Sequence, residues 1–148
     1  MTRRRRWVAG EAGSATIEAV VGIPVFFLFV LFVVAAGRMA LAQQAVQAAA
    51  ADAARSASIA RTAGDARSSA VSSAKGSLAR QGLSCRSLQV HVDISGFRRP
   101  VGTPASTAAT VTCLIDWGDL AALPGLAGVT RTVEATMTSP LDTYRGRR

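Results

Sequence analysis

Histidine occurs once in the 148 residues, at His91, and cysteine twice, at Cys85 and Cys113. A zinc site usually draws four ligands at close spacing, and these three residues do not supply one. The same scarcity leaves no Ser-His-Asp or Cys-His set with a recognisable motif, so neither catalysis nor a metal or cofactor is expected. Lysine is almost missing too: Lys75 is the exception among 17 basic residues, and the rest are arginine. Aromatics make up 5% of the chain and do not interleave with the arginines, so the net charge of +8 carries little nucleic-acid signal, and nucleic acid is not an expected partner. Ala and Ser fill much of the first half. Such a composition builds a long helix but not a large core.

What the chain does have is one long apolar run. From Ala19 to Gly37 it carries no charge for 19 residues, AVVGIPVFFLFVLFVVAAG. At about 1.5 Å rise per residue this nearly covers a hydrocarbon layer of about 30 Å. Pro24 falls in its first two turns, where lipid tolerates a kink. Arg3, Arg4, Arg5 and Arg6 precede the run, and Arg38 alone follows it closely. The positive-inside rule then puts the N-terminus in the cytoplasm and everything after Arg38 outside. Two other readings are open. A cleaved secretory signal would have a shorter apolar core, although Ala40-Leu41-Ala42 could serve as its cleavage site. A buried core helix would need an apolar partner that the chain does not offer.

The residues before the run say more. Gly13-Ser14-Ala15-Thr16-Ile17-Glu18 sets a glycine five residues ahead of a glutamate at the head of an apolar helix. That is the processing signature of type IV pilin-like proteins. The stretch from Gly13 to about Ser58, with Glu18, Pro24, Gly37-Arg38, Gln43-Gln44 and Ala54-Arg55, resembles the TadE-like family, minor pseudopilins of the tight-adherence (Tad, or Flp) type IVb pilus machinery. Farther on, Pro124-Gly125 and Pro140-Leu141-Asp142 also look similar.

The resemblance implies cleavage after Gly13 by a prepilin peptidase at the cytoplasmic face, with Ser14 as the new N-terminus. The basic leader 1–13 would leave. Gly13 suits an extended backbone held close in a peptidase cleft, where a Cβ would clash. Glu18 has two readings. As an acid in the first helical turn it would be favoured by the helix dipole. As an assembly residue it would pair with the free amine at Ser14 of a neighbouring subunit, since a paired charge is far cheaper in lipid than a lone one. The implied partners are the peptidase, major and minor pilins, the inner-membrane assembly platform and membrane lipid.

Residues 38–80 read as an Ala-rich helix outside the membrane, with no proline to interrupt it. Met39, Ala42, Val46, Ala49 and Ala53 form one smooth face, free to pack on another subunit or on the protein's own domain. Gly64-Asp65 predicts a bend, with Asp65 capping a second helical piece. The charges Asp52, Arg55, Arg61, Asp65, Arg67 and Lys75 read as a solvated face.

Residues 81–148 read as a small β domain with a basic, flexible C-terminus. Leu88 to Ile94 alternates strictly, with Leu88, Val90, Val92 and Ile94 inward and His91 exposed. A loop from Ser95 to about Ser106 follows, with Arg98-Arg99 at its tip. A second strand, Ala109 to Trp117, points Val111, Cys113, Ile115 and Trp117 inward, and a third, Val129 to Met137, points Val133, Ala135 and Met137 inward. A short helical turn before Pro124-Gly125 joins them. The class is α+β on a pilin-like plan: a long N-terminal helix and a three-stranded antiparallel sheet.

Cys85 and Cys113 would both lie outside the cytoplasm, where disulfides form, although two buried thiols are the alternative. A hairpin pairing Ile94 with Thr110 puts Cys113 opposite His91. A bridge therefore needs a slipped register, or a Cys85 lying above the sheet at the helix–strand turn. The function expected is that of a non-catalytic minor pseudopilin in Tad pilus assembly, anchored in the cell membrane by a single pass. The alternative is a membrane-tethered binding module whose sheet contacts cell wall, a surface or DNA.

Overall fold

A computed structural model of the protein describes residues 12–116, 130–144 and Gly146. The expectations for the leader, Trp117, the turn at Pro124-Gly125 and the terminal arginines fall outside the described residues. Two helices, α1 (Ala12–Ile59) and α2 (Ala63–Arg80), precede three strands, β1 (Ser87–Asp93), β2 (Ala105–Asp116) and β3 (Thr130–Leu141). A 3-10 turn at Ser95–Arg98 lies between β1 and β2. The strands form one antiparallel sheet in the order β1-β2-β3. The class is α+β, with a long N-terminal helix and a small antiparallel sheet.

The Ala-rich helix over 38–80, expected to bend at Gly64-Asp65 into a second piece, is a hairpin of two helices. The break is at Ala60–Thr62, ahead of Gly64, and its cap is Thr62 rather than Asp65. Thr62 adopts an extended conformation (φ −123°, ψ 155°), and its side chain accepts a hydrogen bond from the Asp65 backbone N–H at 3.0 Å. Threonine three residues ahead of an acid satisfies one of the open donors of the new helix, with Asp65 in its first turn. Gly64 lies inside α2, at the modest cost a helical glycine carries.

The two helices run antiparallel. Ser56 Oγ donates to the Ser69 carbonyl at 3.4 Å, and Ser73 Oγ to the Asp52 carbonyl at 3.2 Å. Lower down, Gln81 Nε2 donates to the Ala45 carbonyl at 3.3 Å, and Arg80 pairs with Asp52 at 3.2 Å. Ala66, Ala70 and Ala74 of α2 are fully buried, as are Val46, Ala49, Ala50, Ala53 and Ala57 of α1. Side chains this small let the helix backbones approach closely. The smooth face of α1 thus packs on its own domain: Ala42, Val46, Ala49 and Ala53 belong to the same cluster as Val92, Val111, Cys113, Ile115 and Val133 from the sheet.

The inward faces of the strands follow the alternation. Val92, Ala109, Val111, Cys113, Ile115 and Val133 are buried, Ala135 and Met137 half-buried, and His91 is exposed. Register and length differ from expectation. His91 pairs with Thr110 and Leu88 with Cys113, a slip of three residues. β2 begins four residues early, at Ala105, and β3 runs on to Leu141 through Pro140. Proline is admissible there because β3 is an edge strand.

The connection from β1 to β2 is also more ordered than a plain loop. Asp93 accepts from the Ser95 N–H at 2.8 Å, which starts the 3-10 turn, and buried Thr107 donates to the Asp93 carbonyl at 2.7 Å. Hydrogen bonds from the Ser95 backbone and side chain hold the Asp93 carboxyl below its ordinary range, against a small opposing effect of desolvation; His91 and Arg98 add to the lowering. Gly96 and Phe97 of this turn are buried.

Gly96 lies against the backbone of β2. A Cβ there would run into the Ser106 carbonyl oxygen and come within 2.8 Å of Leu141 Cδ1. Gly96→Ala should therefore destabilise the packed domain by about 2 kcal/mol, in the range typical of overpacking. Gly76→Ala, in α2, meets only the flexible tip of Arg80 at 3.4 Å and should stabilise by about 0.5–1 kcal/mol. Thermal melts of the full chain in detergent should move in opposite directions for the two variants. A Gly96→Ala melt at or above wild type would mean that the turn does not pack on β2 as described.

Candidate functional site at the head of the apolar helix

α1 is continuous from Ala12 to Ile59, but its two halves have different surroundings. From Ala42 onward one side is buried in the domain. Before that, Val20 to Val34 project from it, with Phe32 at 72% exposure. A core helix would bury such side chains, and burial of an apolar helix is what folding in water would drive. The segment that starts at Glu18 is long and apolar enough to cross a membrane, and none of its most apolar window is covered by the protein. One such helix near the N-terminus is compatible with a single-pass membrane protein.

The Gly13–Ser14 junction lies inside the first turn of α1. The resemblance implies an extended backbone at this junction when it lies in a peptidase cleft. In the free chain it is helical, so a peptidase would have to unwind that turn, and the weak helix propensity of Gly13 lowers the cost. Glu18 is exposed and makes no hydrogen bond or ion pair among the described residues. It is the seventh residue of α1, and no acid occupies the helix's first turn. The dipole's influence fades within that turn, so the dipole reading of Glu18 loses most of its force in the intact chain.

A third feature lies at the other end of the apolar run. Phe32, Ala36, Met39 and Gln43 of α1 and Arg131 of β3 line an open groove of about 400 Å³. The sequence reading of β3 started its inward set at Val133 and passed over Arg131, which shares the same parity and so faces α1.

Cys85 and Cys113 are joined in a disulfide with their Cα atoms 5.4 Å apart. Cys85 precedes β1, in the turn after α2, and Cys113 lies in β2 opposite Leu88. Both the slipped register and the position beside the helix–strand turn are used. Among the described residues no group of His, Cys, Asp and Glu is arranged to hold a metal ion. Arg98 and Arg99 are exposed, and Arg99 donates to the Pro104 carbonyl within its own loop at 3.4 Å.

The TadE-like family model matches residues 13–55. These residues are a TadE-like segment. It begins at the junction glycine, includes Glu18 and the whole apolar run, and ends where α1 packs against α2. The rest of the hairpin and all of the sheet lie beyond it. No curated protein and no solved structure gives a significant match to the chain.

Proposed function

We propose that the protein is a minor pseudopilin, a non-catalytic subunit that takes part in the assembly of a Tad-type pilus. The observation that carries this reading is Gly13 placed five residues ahead of Glu18, at the head of an apolar helix and within a TadE-like segment. A plain membrane tether for a binding module has no need of that pair at that spacing.

Ala19–Gly37 spans the cell membrane, with the N-terminus cytoplasmic and the α/β domain outside. Retention of the span is supported by Ala42, Ala45 and Val46, which continue the same helix directly into the buried core. Signal cleavage after Ala42 would leave the domain's central helix starting at Gln43. The Cys85–Cys113 bridge fits an oxidising compartment.

A prepilin peptidase removes residues 1–13, and Glu18 then guides the chain into register with major and minor pilins at the inner-membrane assembly platform. The smooth face of α1 is occupied by α2 and the sheet, so lateral contacts with other subunits fall to the apolar segment and the head group of residues around Ser14.

The test is Gly13→Trp. A bulky side chain at the cut site should leave the full precursor in the membrane, read as a slower band on immunoblots of membrane fractions, and pilus number per cell should drop. Processing and piliation both unchanged from wild type would remove the basis of the proposal.

A further inference from the structure

β3 runs alongside α1 in the same direction. Its lower end places Arg131 at the groove shared with Phe32–Gln43, and near its upper end Ser139 Oγ donates to Ser58 Oγ at 3.0 Å. The lengths agree: eight strand residues cover about 26 Å, and the 18 helical residues from Ala40 to Ser58 cover about 27 Å. The Arg131 end of the sheet is therefore the end that meets the apolar run.

The α1 residues that line the groove run from Phe32 to Gln43. From Phe32 to Gln43 is about 16 Å of helix, of which the part up to Gly37 belongs to the uncharged run. The remaining part, about 9 Å, is comparable to the headgroup layer on one side of a bilayer, about 5–7 Å. Alanines at positions 35, 36 and 40 form its floor, bounded by the larger Phe32 and Met39. Arg131 of β3 lines the same groove. It occupies a helix-facing position, where the alternation of β3 otherwise places Val133, Ala135 and Met137, and it has no ion pair with any described residue.

We propose that this groove holds one anionic phospholipid of the outer leaflet, its acyl chain along Phe32 and Ala36 and its phosphate against the Arg131 guanidinium. An arginine offers a planar fork that matches phosphate oxygens. An apolar floor continuous with a span, topped by a cation at headgroup height, is complementary in both shape and charge to such a lipid. The bound lipid would fix the domain's tilt on the membrane and so the angle at which the chain is presented for assembly. The proposal rests on Ala19–Gly37 being a membrane span.

The experiment is native mass spectrometry of the full chain in detergent, titrated with equal amounts of phosphatidylglycerol and phosphatidylcholine. Wild type should retain the anionic lipid about fivefold more than the zwitterionic one, as one basic residue near a headgroup implies. Arg131→Gln should bring that ratio close to one, whereas Arg38→Gln, whose side chain does not line the groove, should keep it. Ala36→Trp, which fills the floor without touching the charge, should cut retention of both lipids about threefold or more. A melt equal to wild type confirms that each variant is folded.

Equal retention by wild type and Arg131→Gln would overturn the proposal. So would a lipid-free dimer that Ala36→Trp turns into a monomer, because a second copy would then be the occupant. Alkaline carbonate extraction separates the two levels of the argument. Release of wild type from membranes would sink the span and the lipid site together. A chain that stays with the membrane yet shows no Arg131-dependent preference sinks the lipid site alone.

Discussion

Removing the Cys85–Cys113 bridge should lower the stability of the packed domain by about 3.5 kcal/mol, the chain-entropy figure for a loop of this size. The sequence separation is 28 residues, and it encloses β1, the 3-10 turn and most of β2. β1 is an edge strand that pairs with β2 alone, so the bridge clamps its outer end where the sheet offers no second neighbour. With about 4–8 °C of melting temperature per kcal/mol for a domain of this size, the loss corresponds to about 14–28 °C.

Reduced wild type and the Cys85→Ala, Cys113→Ala double variant should agree to within a few degrees. Cys113 is fully buried, so a serine there would add an unsatisfied hydroxyl and confuse the comparison. Thiol labelling of the native, unreduced protein should find no free cysteine. Strong labelling at both positions, or a reduced protein that melts within about 2 °C of the oxidised one, would show that the domain stands without the bridge.

The second large effect should come from Glu18→Ala, and it should separate two steps that Gly13→Trp blocks together. On the proposed reading cleavage depends on Gly13 and the leader, whereas Glu18 would lie within the mature helix. Removing its charge makes the apolar segment more apolar, so insertion should persist and processing should continue. Recruitment should fall by tenfold or more, because the Ser14 amine of one subunit would lose its carboxylate partner in a setting where a lone charge is costly.

Ser14 and Glu18 of the same chain are also four apart on the helix, and so within reach of each other. An internal pair of that kind would stabilise the monomer and leave assembly largely unaffected. Crosslinking of the cleaved variant to its pilin partners, read beside pilus counts, distinguishes the two. A cleaved Glu18→Ala protein that assembles as well as wild type would leave Glu18 no role between subunits.

The parts of this fold that were legible in the sequence are those governed by a local period. Alternation placed Val92, Val111, Cys113, Ile115 and Val133 inward and His91 outward, because side chains in a strand point to opposite faces whatever the partner. Register was not legible, since it depends on the connection. The 3-10 turn at Ser95–Arg98 uses residues that a plain loop would leave free, and the third strand, read as ending at Met137, runs on through Pro140 because an edge strand accepts it.

The helix break was misplaced because Gly64 is the more obvious breaker, while Thr62 acts by capping, a property that shows only in relation to Asp65. Periodicity identified the Ala42–Ala53 face but could not say what covers it; that required α2 to turn back. At the candidate site, Gly13 and Glu18 were legible as a spaced pair at the head of an apolar run. The groove at Arg131 was not, because it joins residues nearly 100 positions apart, and no local pattern reports such a contact.

The most direct test of the account is the N-terminus and intact mass of the protein isolated from membranes of cells that make the pilus. The account predicts a chain beginning at Ser14, lighter than the precursor by residues 1–13, with Cys85 and Cys113 oxidised. A mature chain beginning at Gln43, after Ala40-Leu41-Ala42, would contradict it. Such a cut would remove the apolar segment, Glu18 and most of the TadE-like stretch at once, leaving a secreted domain with no means of joining a pilus.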